Sequence, residues 1–185
     1  MRAVSRSQAR QYARALLTVA EERSGDEALR LRGELREVCT LTGKHRALRA
    51  ALEARGVTLE DRGRALAAIA DTAGASPLLS RLLGVLATRD HLSLLPSLAA
   101  VYAELVNAAK GIVPVEATGA AELTGEQERA LVEVLRVATG SEVELSSRVE
   151  PDVLGGLQVK MKGRTYDGTV RGRLLALRRS LASGS

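Results

Sequence analysis

Apolar residues recur at intervals of three and four from about residue 7 to residue 110, and the interruptions carry turn chemistry, so this stretch predicts consecutive amphipathic helices. The first, over about 7–22, puts Ala9, Tyr12, Ala13, Leu16, Val19 and Ala20 on one broad face and Arg10 and Arg14 on the other, with Ser24-Gly25 as its end. A second over about 26–42 carries Leu31, Leu35, Val38 and Leu41, with Gly33 as a local weakness and Gly43 as a stop. A short third holds Leu48, Ala51 and Leu52 before Arg55-Gly56. The fourth starts near Thr58, uses Leu66, Ile69 and Ala70 as its inner stripe and closes at Ala73-Gly74. Ser76-Pro77 is a start signal, because serine caps free amides and proline tolerates the first helical position. The fifth helix begins there. Its Leu78, Leu79, Leu82, Leu83, Val85 and Leu86 cover more circumference than one core contact needs, which predicts apolar surface left over for a partner. A sixth over about 93–110 stripes Leu95, Leu98, Tyr102, Leu105 and Ala109, with Pro96 in its first turn. The expectation for 1–110 is a six-helix bundle.

At Gly111 the period changes. Ile112, Val113 and Val115 are β-branched and flank Pro114, so a strand and a second domain, 111–185, begin here. A helix follows over about 124–139, with Thr124 and Gln127 at capping-box spacing, Leu131, Val134, Leu135 and Ala138 inside, and Gly140 at its end. Val143, Leu145 and Val149 predict a strand. Leu157, Val159 and Met161 alternate with Gln158, Lys160 and Lys162, the period of a half-buried strand, and Lys162-Gly163 reads as a hairpin turn returning through Arg164 to Tyr166. A last helix from about 169 aligns Val170, Leu174, Leu177 and Leu181. The fold class expected is mainly α, a six-helix bundle followed by a small α+β domain. At about 70 residues that second core is marginal, and docking on something larger would help it.

Composition narrows the chemistry. In 185 residues, hydrophobics at 45% and charged residues at 26% fit a soluble globular chain, while aromatics at 2%, as Tyr12, Tyr102 and Tyr166 with no Phe or Trp, remove the platforms on which single-stranded bases stack. The net charge is +5, which raises nucleic acid or an acidic partner. Its distribution says more. Residues 111–158 hold three basic residues against nine acidic ones, a net −6, and 159–185 hold seven against one, a net +6. Such a part can be self-complementary or can meet a charged helix without touching phosphate. Arg2, Arg6, Arg10 and Arg14, with no acid before Glu21, resemble an organelle transit peptide, but they continue into the first helix and read as its wet stripe. Only four lysines stand beside 23 arginines, which suggests a G+C-rich bacterial genome and a cytoplasmic address. No run of about 18 uncharged apolar residues predicts a membrane span.

No residue set reads as an active site. Cys39 lies in an apolar helical stretch and reads as packing. His45 and His91 stand too far apart for helical metal-ligand spacing and read as solvated or capping residues, so neither a metal nor a cofactor is expected. Gly155-Gly156 lacks the order of a dinucleotide or phosphate loop; paired glycines at the start of a strand let the backbone bend or approach another element. Asp167-Gly168-Thr169 reads as a turn with a positive dihedral followed by a helix cap. Arg171, Arg173, Arg178 and Arg179 read as a wet or partner-facing helix side, and Glu21-Glu22, Glu60-Asp61 and Glu126 with Glu128 sit at helix ends or on wet faces rather than as an acid and base pair.

Two segments carry a family resemblance. Ala9-Arg10-Gln11-Tyr12-Ala13-Arg14-Ala15-Leu16-Leu17, and far more specifically Val149-Glu150-Pro151-Asp152-Val153-Leu154-Gly155-Gly156-Leu157-Gln158-Val159 with Tyr166-Asp167-Gly168-Thr169-Val170-Arg171-Gly172-Arg173-Leu174, resemble the delta subunit of bacterial F-type ATP synthase, related to the mitochondrial oligomycin-sensitivity-conferring protein. Arg89-Asp90-His91-Leu92-Ser93-Leu94-Leu95-Pro96 and the Tyr102 helix are similar to the start of that family's sixth helix. Thr169 stands where a serine is usual, and the first domain lacks the family's phenylalanines. The resemblance implies a non-catalytic stator subunit, one copy per complex, that links the alpha/beta head to the b-subunit stalk so that rotation driven by proton flow is coupled to ATP synthesis. It implies a peripheral position at the cytoplasmic face of the bacterial plasma membrane, without insertion. The 1–110 domain would receive the alpha subunit's N-terminal helix in an apolar groove, for which Tyr12, Leu16, Leu82, Leu83 and Leu86 are the candidate residues, and the 111–185 domain would meet the b subunit's C-terminal region. The competing class is a basic helical nucleic-acid-binding protein. A small enzyme is the third.

Overall fold

The computed structural model describes residues 2–44, 58, 61, 63–64, 68, 70, 72, 74–151, 153 and 155–170. The chain forms two compact units, Met1–Val106 and Asn107–Ser185, so the division falls inside the last helix of the bundle, about a turn before the change of period at Gly111. Among the described residues the chain is mainly helical, with five α-helices, one short 3-10 turn and one four-stranded sheet.

In the first unit, α1 (Arg2–Arg23) and α2 (Gly25–Lys44) are separated by Ser24. The Ser24 amide donates to the Ala20 carbonyl, and its hydroxyl accepts from the Asp26 amide at 3.3 Å, so one residue ends one helix and starts the next. Gly25 therefore opens α2 instead of ending α1, and Gly43 lies within α2, which runs to Lys44. Ala9, Ala13, Leu16 and Ala20 face the interior from α1, and Ala28, Leu31, Leu35 and Val38 from α2. Four alanines without any exposed surface let these helices approach closely, which a core free of phenylalanine and tryptophan requires. The predicted third helix lies outside the described residues. In the fourth, Asp61, Gly63, Arg64, Ala68, Ala70 and Thr72 are helical, and the Thr58 hydroxyl accepts from the Asp61 amide at 3.1 Å, as a cap does.

Helix α3 (Pro77–Thr88) starts at the buried Ser76, whose hydroxyl accepts from the Leu79 amide at 3.4 Å. The Ser76 amide in turn donates to Glu34 Oε2 at 2.9 Å, while Arg30 Nε donates to Glu34 Oε1 at 3.0 Å. Glu34 thus ties the start of α3 to α2. After α3 the chain turns through Asp90, left-handed at φ 55°, and the His91 amide donates to the Leu86 carbonyl. A 3-10 turn (Leu92–Leu94) leads into α4 (Leu95–Lys110). The stretch Leu92–Lys110 is long and apolar enough to cross a bilayer, yet Leu95, Leu98, Val101, Tyr102 and Val106 are core residues of the bundle. The Tyr102 hydroxyl donates to the Ala28 carbonyl at 3.4 Å; burial first, then Glu21 and Glu27, pushes its ionisation well above the usual phenol range.

The second unit is built around β1 (Ile112–Gly119). Helix α5 (Gly125–Thr139) crosses over to β2 (Glu142–Val149), which pairs parallel with β1, and the antiparallel hairpin β3 (Leu157–Met161) and β4 (Arg164–Asp167) completes the order β2-β1-β3-β4. Positive φ at Lys162 and Gly163 makes the tight hairpin turn. The predicted capping box forms in full: Thr124 Oγ1 accepts from the Gln127 amide, Gln127 Oε1 accepts from the Thr124 amide, and Gly140 ends the helix at φ 63°. The predicted inner face of this helix is corrected. Leu131 and Leu135 are half-buried, but Val134 and Ala138 are exposed, because the helix packs against β2 through the side that carries Leu131, Val132 and Leu135. Of the predicted last helix, only Val170 is described as helical.

Gly155 and Gly156, at φ 134° and 86°, lie against the segment after β4. A Cβ on Gly156 would stand 2.5 Å from the Gly168 carbonyl oxygen and 2.9 Å from Thr169 Cα. The Gly168 amide donates to the Leu157 carbonyl and the Val170 amide to the Gly155 carbonyl, closing the corner. Gly168 is present for this closeness and not for a positive dihedral, contrary to the sequence expectation. Asp167 Oδ1 accepts from the Thr169 amide at 2.9 Å, and hydrogen bonds from Thr169 hold the Asp167 carboxyl below its usual range. Gly156→Ala is expected to destabilise this unit by roughly 2 kcal/mol or more, since backbone and not a flexible side chain blocks the new methyl. Hydrogen exchange at the β3 amides measures it.

Glu34 makes a second prediction. Burial raises its pKa, but hydrogen bonds from Ser76 and then Arg30 outweigh it, so the group is held below its ordinary value. A depressed carboxyl contributes stability that is complete above the unfolded pKa, about 4.3, and is lost as pH falls through the folded value. Denaturant titrations should therefore find Glu34→Ala roughly 2 kcal/mol less stable at pH 7, with the gap narrowing as pH falls below the unfolded pKa.

Candidate partner-binding site

Three of the five groove candidates lie in the chain's own core: Leu16 is 5% exposed, Leu83 2% and Leu86 0%. Tyr12 and Leu82 are half-buried and pack against that core from its rim. Beyond them, Val19 on α1 is 38% exposed and Val85 on α3 is 42% exposed. Tyr12 and Val19 are seven residues apart and share one face of α1; Leu82 and Val85 are three apart and share one face of α3. The apolar surface these helices offer is thus Tyr12 with Val19 on α1 and Leu82 with Val85 on α3, of which Tyr12 and Leu82 pack against the core that holds Leu16, Leu83 and Leu86. The surplus read from α3 is real but narrower than the sequence suggests, because Leu78, Leu79, Leu83, Leu86 and Ala87 are all consumed by the core. Val19 and Val85 were visible in the pattern; what the pattern lacked was the neighbours that seal the leucines.

Tyr12 is fixed in place. Its hydroxyl lies 3.1 Å from His91 Nδ1, and the rings meet edge to face with centroids 6.0 Å apart at 77°. His91 is accordingly neither solvated nor a side-chain cap, as its sequence context suggested; it braces α1 against the turn that follows α3. The aromatic rim is therefore pre-organised before anything docks.

Other chemistry is sparse among the described residues. They hold no group of three or more His, Cys, Asp or Glu able to bind a metal ion. Cys39 is half-buried, its thiol 3.8 Å from the Leu95 carbonyl, and burial pushes its pKa up to about 11. In the second unit an open cleft of about 370 Å³ is lined by Glu122, Leu123, Glu128, Ser147, Arg148 and Val149, with the Ser147 hydroxyl donating to Glu128 Oε1 at 2.9 Å. That hydroxyl has a carboxylate acceptor but no histidine beside it, so the pair lacks the relay that activates a serine nucleophile.

Comparison with known proteins gives a single picture. The family model described as ATP synthase delta (OSCP) subunit matches residues 9–181. The ATP synthase subunit delta of Rubrobacter xylanophilus is 37% identical over 171 residues, covering 92% of this chain and 93% of that protein. That of Oleidesulfovibrio alaskensis is 30% identical over 176 residues, covering 95% and 96%. Among solved structures, a chain in the cryo-EM structure of the Toxoplasma gondii mitochondrial ATP synthase hexamer shares the fold, with a TM-score of 0.64 at 20% identity over 94% of this chain and 97% of that one.

The burial of Cys39 can be checked directly. At pH 8 its alkylation by iodoacetamide should run at least about 100-fold slower than that of a free cysteine, and should reach the free rate once denaturant opens the bundle.

Proposed function

Given that this chain belongs to the ATP synthase delta (OSCP) family, we propose that it is a stator link: one copy per complex, joining the alpha/beta head to the b-subunit stalk at the cytoplasmic face of the membrane. The family supplies the complex, an F-type ATP synthase, and the role of its delta subunit is non-catalytic. The observation that carries the finer reading is the exposed apolar rim on α1 and α3. In this proposal the 1–110 domain takes the alpha subunit's N-terminal helix across Tyr12, Val19, Leu82 and Val85. Leu16, Leu83 and Leu86 belong to the buried core against which Tyr12 and Leu82 pack.

The energetics suit the task. A helix laid in a groove uses a few spaced apolar anchors, each worth about 1.5–3 kcal/mol when fully buried. A link that must hold while the rotor turns needs slow dissociation more than fast encounter, and water-excluding apolar anchors act on the off-rate. The 111–185 domain takes the C-terminal region of the b subunit. Its net charge of −6 over 111–158 beside +6 over 159–185 suits a helical partner of mixed charge better than nucleic acid.

Binding of an alpha-subunit N-terminal peptide tests the groove. Val19→Glu and Val85→Glu change exposed side chains, so the fold should survive, and each should weaken the peptide by at least about tenfold. Charges at Leu83 or Leu86 would instead unfold the core and test nothing. Wild-type affinity in both folded rim variants would refute the groove. Added salt separates the competing class: a phosphate binder loses affinity steeply, whereas this contact should lose little.

A further inference from the structure

Among the described residues, the second unit carries an apolar helix surface that is left exposed. No residue of α5 is buried. Leu131, Val132 and Leu135 are half-buried, while Val134 is 65% and Val137 77% exposed, with Ala130 exposed beside them. Ala130, Val134 and Val137 follow the i, i+4, i+7 spacing of one helix stripe. Valine is a costly choice for an exposed helix position, since its branched side chain loses χ1 freedom and gains no packing in return. The helix is nevertheless held firmly at both ends, by the Thr124–Gln127 box and by left-handed Gly140. A rigid helix that presents valines outward has the form of a seat.

Charge indicates what sits there. Glu126 and Glu133 lie along one border of the stripe, four residues before Ala130 and four before Val137. Both are exposed; Arg136 shares Glu133 at 3.1 Å, an exposed pair of little energetic weight. The surrounding sequence, 111–158, carries the net −6. We infer that the outer face of α5 seats an amphipathic partner helix whose apolar seam is bordered by lysine or arginine where it meets Glu126 and Glu133. Naming that helix as part of the b-subunit stalk rests on the function proposed above.

The test has two parts, each using the full chain. In the first, a tagged copy is purified from membranes as wild type and as Val134→Asp with Val137→Asp; both sites are exposed, so the helix should remain folded, which circular dichroism checks. The wild type should recover alpha, beta and b subunits, and the variant should keep alpha and beta but lose b by at least tenfold. Equal recovery of b by both proteins overturns the assignment while leaving the stator reading intact; recovery of neither partner by wild type overturns the stator reading.

The second part needs no stalk. A 21-residue helical peptide with a leucine seam bordered by lysines should bind the wild type at least tenfold tighter than the variant does, and tighter than the same peptide bordered by glutamates binds the wild type. Glu126→Lys with Glu133→Lys should reverse that preference. Equal binding in all arms, or a concentration-dependent dimer abolished by the valine substitutions, overturns the basic helix as occupant, the dimer in favour of a second copy of this chain.

Discussion

The close approach of alanine-lined helices is the contact on which the first unit depends. Without phenylalanine or tryptophan, the bundle cannot fill space with large rings, so it reduces the space: Ala9, Ala13 and Ala20 on α1 and Ala28 on α2 have no exposed surface. That packing fixes where α1 lies and therefore where Tyr12 meets His91. It also brings the Ala28 carbonyl within reach of the Tyr102 hydroxyl, so the largest buried side chain has its polar end satisfied. Glu34 extends the same frame to α3 through the Ser76 amide.

The two units use their apolar residues differently. Among the described residues most leucines of the bundle are buried, and the rim is a thin band on α1 and α3. Among its described residues the second unit has a modest core, Val113, Val115 and Ala117 on the central strand, and an exposed apolar stripe on α5. On the proposed reading this division is useful: the bundle holds its shape around a shallow groove, and the smaller unit gains stability from what it holds.

Much of this was legible beforehand where the signal is local. Ser76-Pro77 marked the start of α3, Thr124 with Gln127 marked a capping box, and the alternation at 157–162 marked β3 and its turn, since each depends on residues within one or two turns of chain. Long-range contacts were not legible. Periodicity shows that Leu83 and Leu86 lie on an apolar face, but only the neighbouring helices show that the face is sealed. The same limit put Val134 inside and left His91 in solvent. Gly156 could be read as a place of close approach, yet the backbone of Gly168 and Thr169 that approaches it is set by sheet pairing. The parallel pairing of β1 with β2 likewise has no signature within either strand.

The three tyrosines fall into three surroundings: Tyr102 sealed in the bundle, Tyr12 braced at its rim, and Tyr166 on the outermost strand of the other unit, 51% exposed. With no indole in the chain, they dominate its near-ultraviolet spectrum. Burial makes Tyr102 hold its proton in alkali until the bundle opens. The polypeptide thus carries its own optical gauge, in which a late phenolate signal counts the molecules whose helices have come apart.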